Sequence, residues 1–222
     1  MVLENWEYDP SSLDLLNYYR ISSNAVYPFM YNGQVRILRF CPCNEKDKSN
    51  IIGELEFIRY LYSKGYPALH TVKSKNNQEL LQVHTPWGDY FAFVFERVAG
   101  IQLGETDYTC DICRKHGKYL GRLHKLSSEY KPPNTMRHSY EDVLIWAERE
   151  LLNFNIFYDN TADTLNIIDF DDAMYHWYIM DICQALDSIM NDGCCADFSS
   201  MNACFFEGYR EEFDVSDDIV AN

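Results

Sequence analysis

The chain has 222 residues, 47% hydrophobic and 15% aromatic, a composition that packs a core rather than staying disordered. That length allows one sizeable domain or two small lobes sharing a cleft. The formal net charge of −15 argues against a nucleic-acid partner, which needs a basic patch. It suits a cationic small substrate, although acidity serves solubility just as well. No stretch approaches the roughly 20 apolar residues of a membrane span. The acidic start, Met1 to Glu7, has no basic n-region, so a secretory signal is not expected and the chain reads as cytoplasmic.

Residues 14–40 alternate in the manner of strands. Asn24 to Tyr31, then Asn32-Gly33, then Gln34 to Phe40 read as a hairpin, because Asn-Gly supplies the positive φ angles of a two-residue turn. A helix is expected over Ser49 to Lys64, with Ile52, Leu55, Ile58 (or Phe57) and Leu61 or Tyr62 inward and Gly65 at its end. Strands follow at His70–Ser74, Glu79–Thr85 and Tyr90–Glu96, and Val98 to Gly100 reads as a linker. From Thr109 the period turns helical, with Ile112, His116, Tyr119, Leu120, Leu123 and Leu126 on one stripe. A helix over Tyr140–Leu152, a hairpin, and helices over Tyr178–Met190 and Ser199–Phe213 complete the order. The hairpin has one strand at Asn155–Tyr158 and a second ending at Asp169. The chain is thus α+β, a β-rich half with one helix (1–98) and a helical half carrying the hairpin (99–222).

Eight cysteines include the pairs Cys41/Cys43, Cys110/Cys113 and Cys194/Cys195. Without a secretory signal, a disulfide framework is not expected. Cys110, Cys113 and His116 share a helix face, but Cys41-Pro-Cys43 lacks the usual zinc spacing, so free thiols are the expectation.

Four features point to one chemistry. Asn24 lies in Ser22 to Tyr27, before the first hairpin turn, where backbone amides can cover phosphates; a polar strand edge explains it equally. Arg39 sits between Leu38 and Phe40 on an apolar strand, so an inward cation there needs a partner. Glu56 on the next helix is the expected one, although such pairs are often surface ion pairs. Phe91 to Gly100 reads as an edge strand and hinge against which adenine stacks, or simply as a core strand. Asn155 and Asp169 form a hard-oxygen pair at strand ends, suited to Mg²⁺ with room left for phosphates.

These segments resemble the aminoglycoside phosphotransferase/choline kinase-type family over nearly the whole chain. The match rests on Asn24 to Phe29, Ile37 to Phe40, Glu54 to Leu61, Phe95 to Gly100 and Gly117 to His124. It is most specific in Asn155-Ile-Phe-Tyr-Asp159, Ile167-Ile-Asp-Phe-Asp-Asp172 and Tyr178-Ile-Met-Asp-Ile182. The resemblance implies a bilobal protein-kinase-like fold and transfer of phosphate from ATP, with Mg²⁺, to a small-molecule hydroxyl. It puts Arg39 in the place of the phosphate-gripping strand lysine, with Glu56 as its partner. The backbones of Glu96 and Val98 would meet adenine, Asn155 and Asp169 would hold Mg²⁺, and Asp181 would brace the catalytic loop.

One part of the pattern is absent. The family's catalytic loop reads His-Gly-Asp, a few residues, then Asn. Here Glu150-Leu-Leu-Asn-Phe154 precedes Asn155, and no His-Gly-Asp occurs anywhere. An internal deletion between about Glu150 and Phe154 is the simplest account, so no catalytic residue is assigned. Loss of the positioned base removes roughly 10²–10⁴-fold in rate. The alternative function is therefore a non-catalytic, nucleotide-binding pseudokinase. Asp181 is expected to need a new donor or a place near water, residues 150–156 to be loose, and the helical lobe to be incomplete.

Overall fold

The computed structural model describes residues 1–22, 24–103, 108–133, 156–168, 178–192 and 198–214. The expected helix over Tyr140–Leu152, the residues Asn155 and Asp169, and most of the stretch expected to be loose lie outside them. The described chain divides into two compact units.

The first unit comprises Met1–Tyr62 and Leu69–Val98. Its strands are β1 (Arg20–Ile21), β2 (Ala25–Tyr31), β3 (Gln34–Pro42), β4 (Thr71–Val72), β5 (Leu81–Thr85) and β6 (Gly88–Glu96). They form one antiparallel sheet in the order β1-β2-β3-β6-β4, with β5 also paired to β6. The β2–β3 hairpin closes on Tyr31 opposite Gln34, with Asn32 at φ 52° and Gly33 at φ 75°. Two successive positive φ angles match the right-handed strand twist, and this is what Asn-Gly encodes. β6 is central and is buried continuously from Phe91 to Phe95.

One sheet face carries Phe29, Leu38, Leu81, Ala92 and Val94, packed with Leu3 and Trp6. Residues 14–17 do not continue the strand pattern. Pro10–Asn17 is a 3₁₀ helix instead, started by a proline whose fixed φ suits a first helical turn. This N-terminal segment anchors through Trp6, which is fully buried and donates from Nε1 to the Val72 carbonyl at 3.0 Å. The opposite face meets α1 (Lys48–Ser63), whose buried residues are Ile51, Gly53, Glu54, Leu55, Ile58 and Leu61.

The second unit contains Ser63–Ala68, Ala99–Lys131 and the described residues from Ile156 onward. β7 (Ile101–Gln102), β8 (Ile156–Asp159) and β9 (Thr164–Ile167) make a small antiparallel sheet. β7 falls beside the stretch expected to be a linker and pairs with β8. α2 (Cys110–Glu129) begins at Thr109, whose hydroxyl accepts from the Ile112 amide at 3.2 Å, an N-cap bond. α3 (Tyr178–Asp192) and α4 (Phe198–Arg210) follow. The core gathers Ile112, Cys113, Leu120, Leu165, Ile182, Ile189, Phe205 and Tyr209.

α2 and α4 touch backbone to backbone through glycines. A Cβ at Gly208 would overlap the Arg114 carbonyl, and one at Gly117 would overlap the Phe205 carbonyl. Neither neighbour is a flexible side chain that can swing away. Gly208→Ala should therefore cost about 3 kcal/mol, the upper part of the overpacking range, read as a lower urea midpoint. An unchanged midpoint would mean that the helices separate without cost.

Cys110, at the start of α2, and Cys204 on α4 form a disulfide, with Cα atoms 5.5 Å apart. This corrects the expectation of free thiols for these two residues. Sequence reading pairs cysteines by closeness along the chain, whereas helix packing joins residues 94 apart. Cys113 is buried and lies 3.6 Å from the Met201 sulfur. Among the described residues, no group of three or more His, Cys, Asp or Glu is placed to hold a metal ion.

His116 is buried in this unit, edge-on to Phe205, and its Nδ1 has no hydrogen-bond partner among the described residues. Burial pushes its pKa down to about 4 from the ordinary 6.5. The unfolded chain therefore takes up this proton at a higher pH than the folded one does. The stabilising contribution is complete above pH 6.5 and is lost as pH falls toward 4, to a total of about 3 kcal/mol. Unfolding free energies from pH 7 to pH 4 should fall more steeply for the parent than for His116→Phe. Parallel curves would refute this.

Candidate functional site

The first unit places a buried cation on the α1 side of its sheet. Arg39 on β3 is 6% exposed, and its Nη1 donates to Glu54 Oε1 at 3.0 Å. Both side chains of this ion pair are nearly removed from water. The expectation named Glu56; the structure shows Arg39 paired with Glu54. Residues two apart on a helix point about 200° apart, given 3.6 residues per turn. Glu54 shares its face with Ile51, Ile58 and Leu61, which are buried, whereas Glu56 is only half-buried. The signal was present in the i, i+3, i+4 spacing. A carboxylate on an apolar helical stripe reads as an interruption until a buried cation opposite requires it.

Sheet register sets the floor under Arg39. In the β3–β6 ladder Arg39 lies opposite Phe93, and its guanidinium carbon stands 5.4 Å from the centre of the Phe93 ring. Phe93 is 1% exposed and meets Phe95 edge-on at 5.5 Å. Nothing in the sequence reading singled out Phe93, because it sits in an unbroken apolar run.

The remaining expected positions of this unit are placed as follows. Asn24 is buried at 7% exposure, immediately before β2. Glu96 ends β6, where its amide donates to the His70 carbonyl at 2.9 Å and its carboxylate lies 3.3 Å from His70 Nδ1. Val98 is half-buried just beyond, after Arg97, whose amide bonds the Val35 carbonyl. A depression of about 400 Å³ lies beside Glu96, with Ile58, Tyr62, Leu69 and Glu79 among its walls.

In the second unit, Asp181 on α3 has a donor. Its Oδ2 lies 3.0 Å from His124 Nε2, and His124 Nδ1 lies 2.6 Å from the Tyr209 hydroxyl. A carboxylate only accepts, so the ring carries its proton on Nε2 and takes the Tyr209 O–H at Nδ1. Burial, then the nearby Asp181 charge, hold the Tyr209 phenol well above its ordinary pKa, so it remains a donor. Tyr178 stacks on the imidazole at 4.5 Å. The network links α2, α3 and α4 through polar groups, with His124 2% exposed and Asp181 reaching the surface at 25%.

No established family profile matches the chain. Amicoumacin kinase of Bacillus subtilis (strain 168) is 23% identical, over 90% of this chain and 73% of that protein. Its alignment spans 248 positions, whereas 90% of this chain is about 200 residues, so about 48 positions have no counterpart here. Among solved structures, amicoumacin kinase hAmiN in complex with AMP-PNP, Ca²⁺ and Ami superposes with a TM-score of 0.84 at 20% identity. That match covers 99% of this chain and 78% of that one. A microcompartment-associated aminopropanol kinase follows at TM-score 0.74 and 17% identity, covering 97% and 80%. Spectinomycin phosphotransferase, solved with ADP and spectinomycin, matches at 0.57 and 12%, covering 97% and 77%.

Proposed function

We propose that this chain, a homologue of amicoumacin kinase with the protein-kinase-like fold of the aminoglycoside phosphotransferases, binds ATP with a divalent cation but has lost most of its phosphotransfer. The observation that carries the binding half is the buried Arg39–Glu54 pair. A strand cation fixed by a helix carboxylate is the arrangement with which kinases grip nucleotide phosphates. The donor set suits a polyphosphate, because a guanidinium presents its N–H groups in a planar fork that matches phosphate oxygens. Bound nucleotide would supply the transferable phosphoryl group, and Mg²⁺ would neutralise its charge.

The chain's own residues would divide the work as follows. Arg39 would orient the phosphates, with Glu54 holding it in place. Asn24 would lie under the phosphate-covering segment, and the backbones of Glu96 and Val98 would meet adenine. Asn155 and Asp169 would hold Mg²⁺. The His-Gly-Asp whose acid would take the proton of an acceptor hydroxyl does not stand before Asn155, where the nearest acid is Glu150. The roughly 48 positions missing from the alignment, together with the absent His-Gly-Asp, support the reading of an internal shortening at the catalytic loop.

The homology favours a second reading, in which a small-molecule hydroxyl is phosphorylated in the cytoplasm with the help of another acid. A cationic acceptor would suit the acidic chain. Calorimetric titration with ATP, with and without Mg²⁺, should show cation-dependent binding that Asp169→Ala abolishes. ADP release should not rise with any of a panel of hydroxyl acceptors. Acceptor-dependent release would establish the second reading, and no binding at all would refute both.

A further inference from the structure

We infer that Lys115 on α2 is a positioning residue for the β8–β9 hairpin, locking its turn to the helix and so setting where its open end is presented. The consequence for metal binding rests on the proposed nucleotide reading, in which Asn155 directly precedes β8 and Asp169 follows β9 by two residues. The lock itself does not. Lys115 Nζ lies 2.5 Å from Asp111 Oδ2 on its own helix and 2.6 Å from Asp163 Oδ1 in the hairpin turn. The Tyr158 hydroxyl on β8 donates to the same Asp163 oxygen at 2.9 Å, and the ammonium stands 5.8 Å from the centre of the Tyr158 ring. One ammonium thus joins a helix, a turn and a strand.

The residues around it suit that task. Asp111 stands four residues before Lys115, the favourable order for an ion pair on a helix, so the cation is already held on α2 where the turn meets it. The Lys115 side chain is 19% exposed, and a network around a sheltered cation holds better than a lone surface pair. Asp163 has φ 56°, a left-handed backbone that glycine adopts most cheaply. Aspartate tolerates it and adds what glycine lacks, a carboxylate within reach of both partners. The Lys115 and Tyr158 bonds hold that carboxyl below its ordinary pKa.

The hairpin needs such a lock. Its strands have four residues each, about 10 Å from end to end, and a two-stranded ribbon is marginal by itself. Leu165 is fully buried beneath it, and β7 pairs with two residues of β8. Toward the open end, the Asn166 side-chain amide reaches the Ala99 carbonyl at 3.3 Å and the Ile167 amide reaches the Pro67 carbonyl at 3.5 Å, both long bonds. Short bonds hold the turn and long ones the open end. A turn released from α2 would therefore tilt the ribbon about Leu165 and move the open end.

Three variants test the lock. Lys115→Met keeps most of the stem and removes the charge, and Lys115→Arg keeps the charge. Asp163→Gly relaxes the turn backbone but removes the carboxylate. Hydrogen exchange of residues 157–166 is followed by mass spectrometry without ligand. Calorimetry gives ATP affinity with and without Mg²⁺. Lys115→Met and Asp163→Gly should both exchange roughly threefold faster, and the factor by which Mg²⁺ raises ATP affinity should fall roughly threefold, with metal-free affinity unchanged. Lys115→Arg should restore most of both. Unchanged exchange in Lys115→Met, or slower exchange in Asp163→Gly as turn energetics alone would give, would overturn the lock. Faster exchange with an unchanged Mg²⁺ factor would overturn the positioning role and leave a structural clamp. If the parent binds no nucleotide, the exchange arm still decides the lock, while the nucleotide reading and the consequence drawn from it fail.

Discussion

Glu54→Ala should unfold this protein at markedly lower denaturant than the parent, with a loss of about 3–5 kcal/mol. The expectation follows from where the charge is left. Arg39 is 6% exposed, so removing the carboxylate at 3.0 Å takes a counter-charge away from a guanidinium in a nearly dry site. A buried ion pair contributes little net stability, but breaking it by removing one member costs far more than the pair was worth. Glu56→Ala, two residues on and half-buried, should cost less than about 1 kcal/mol. The contrast tests the assignment directly, since both changes delete the same group from the same helix. Similar losses at the two positions, or a larger one at Glu56, would mean that Arg39 is held by something else. Nucleotide affinity should follow the same order, because a cation without its anchor loses its direction. Glu54→Gln, which keeps an acceptor oxygen, should fall between the parent and Glu54→Ala on both measures.

The same pair shows how far local sequence carried the fold. Signals that act over a few residues were readable. Asn32-Gly33 announced a two-residue hairpin turn, Thr109 sits where α2 is capped, and the change of period after Thr109 marked the helical half. Signals that depend on what lies opposite were not. Glu54 and Glu56 are equally plausible partners until the sheet fixes which face of α1 is buried. Phe93 is one apolar residue among several until register sets it against Arg39. Trp6 gave no strand or helix pattern, yet it closes one face of the sheet by reaching the backbone of β4, 66 residues away. Cys110 looked paired with Cys113 along the chain and bonds Cys204 across it. β7, two residues long, has too few side chains to show alternation, and exists because β8 gives its backbone a partner. The candidate site therefore divided along the same line. Its cation was legible as a charge on an apolar strand, and Glu54 and Phe93 beside it were not.

His124→Ala should be the other costly change, at about 4 kcal/mol, because it takes away two hydrogen bonds and a ring together. Asp181 would lose its donor at 3.0 Å and the Tyr209 hydroxyl its acceptor at 2.6 Å. Tyr209 suffers more, being fully buried, whereas Asp181 can turn toward water through its exposed edge. Tyr178 would also lose the stacked imidazole at 4.5 Å. The sequence had suggested a stranded Asp181, because the loop it would brace lacks its His-Gly-Asp. With His124 as a donor, the acid has a partner inside α2 that does not depend on that loop. Folding of the helical unit should therefore suffer more from the loss of this histidine than from changes in the residues before Asn155. A double-mutant cycle separates pairing from packing. His124→Phe keeps a ring against Tyr178 and should recover part of the loss, but not the share due to Asp181. In an Asp181→Ala background that share should vanish, leaving His124→Ala cheaper than in the parent. Equal costs in both backgrounds would mean that the imidazole matters only as a packed ring, and that Asp181 is satisfied elsewhere.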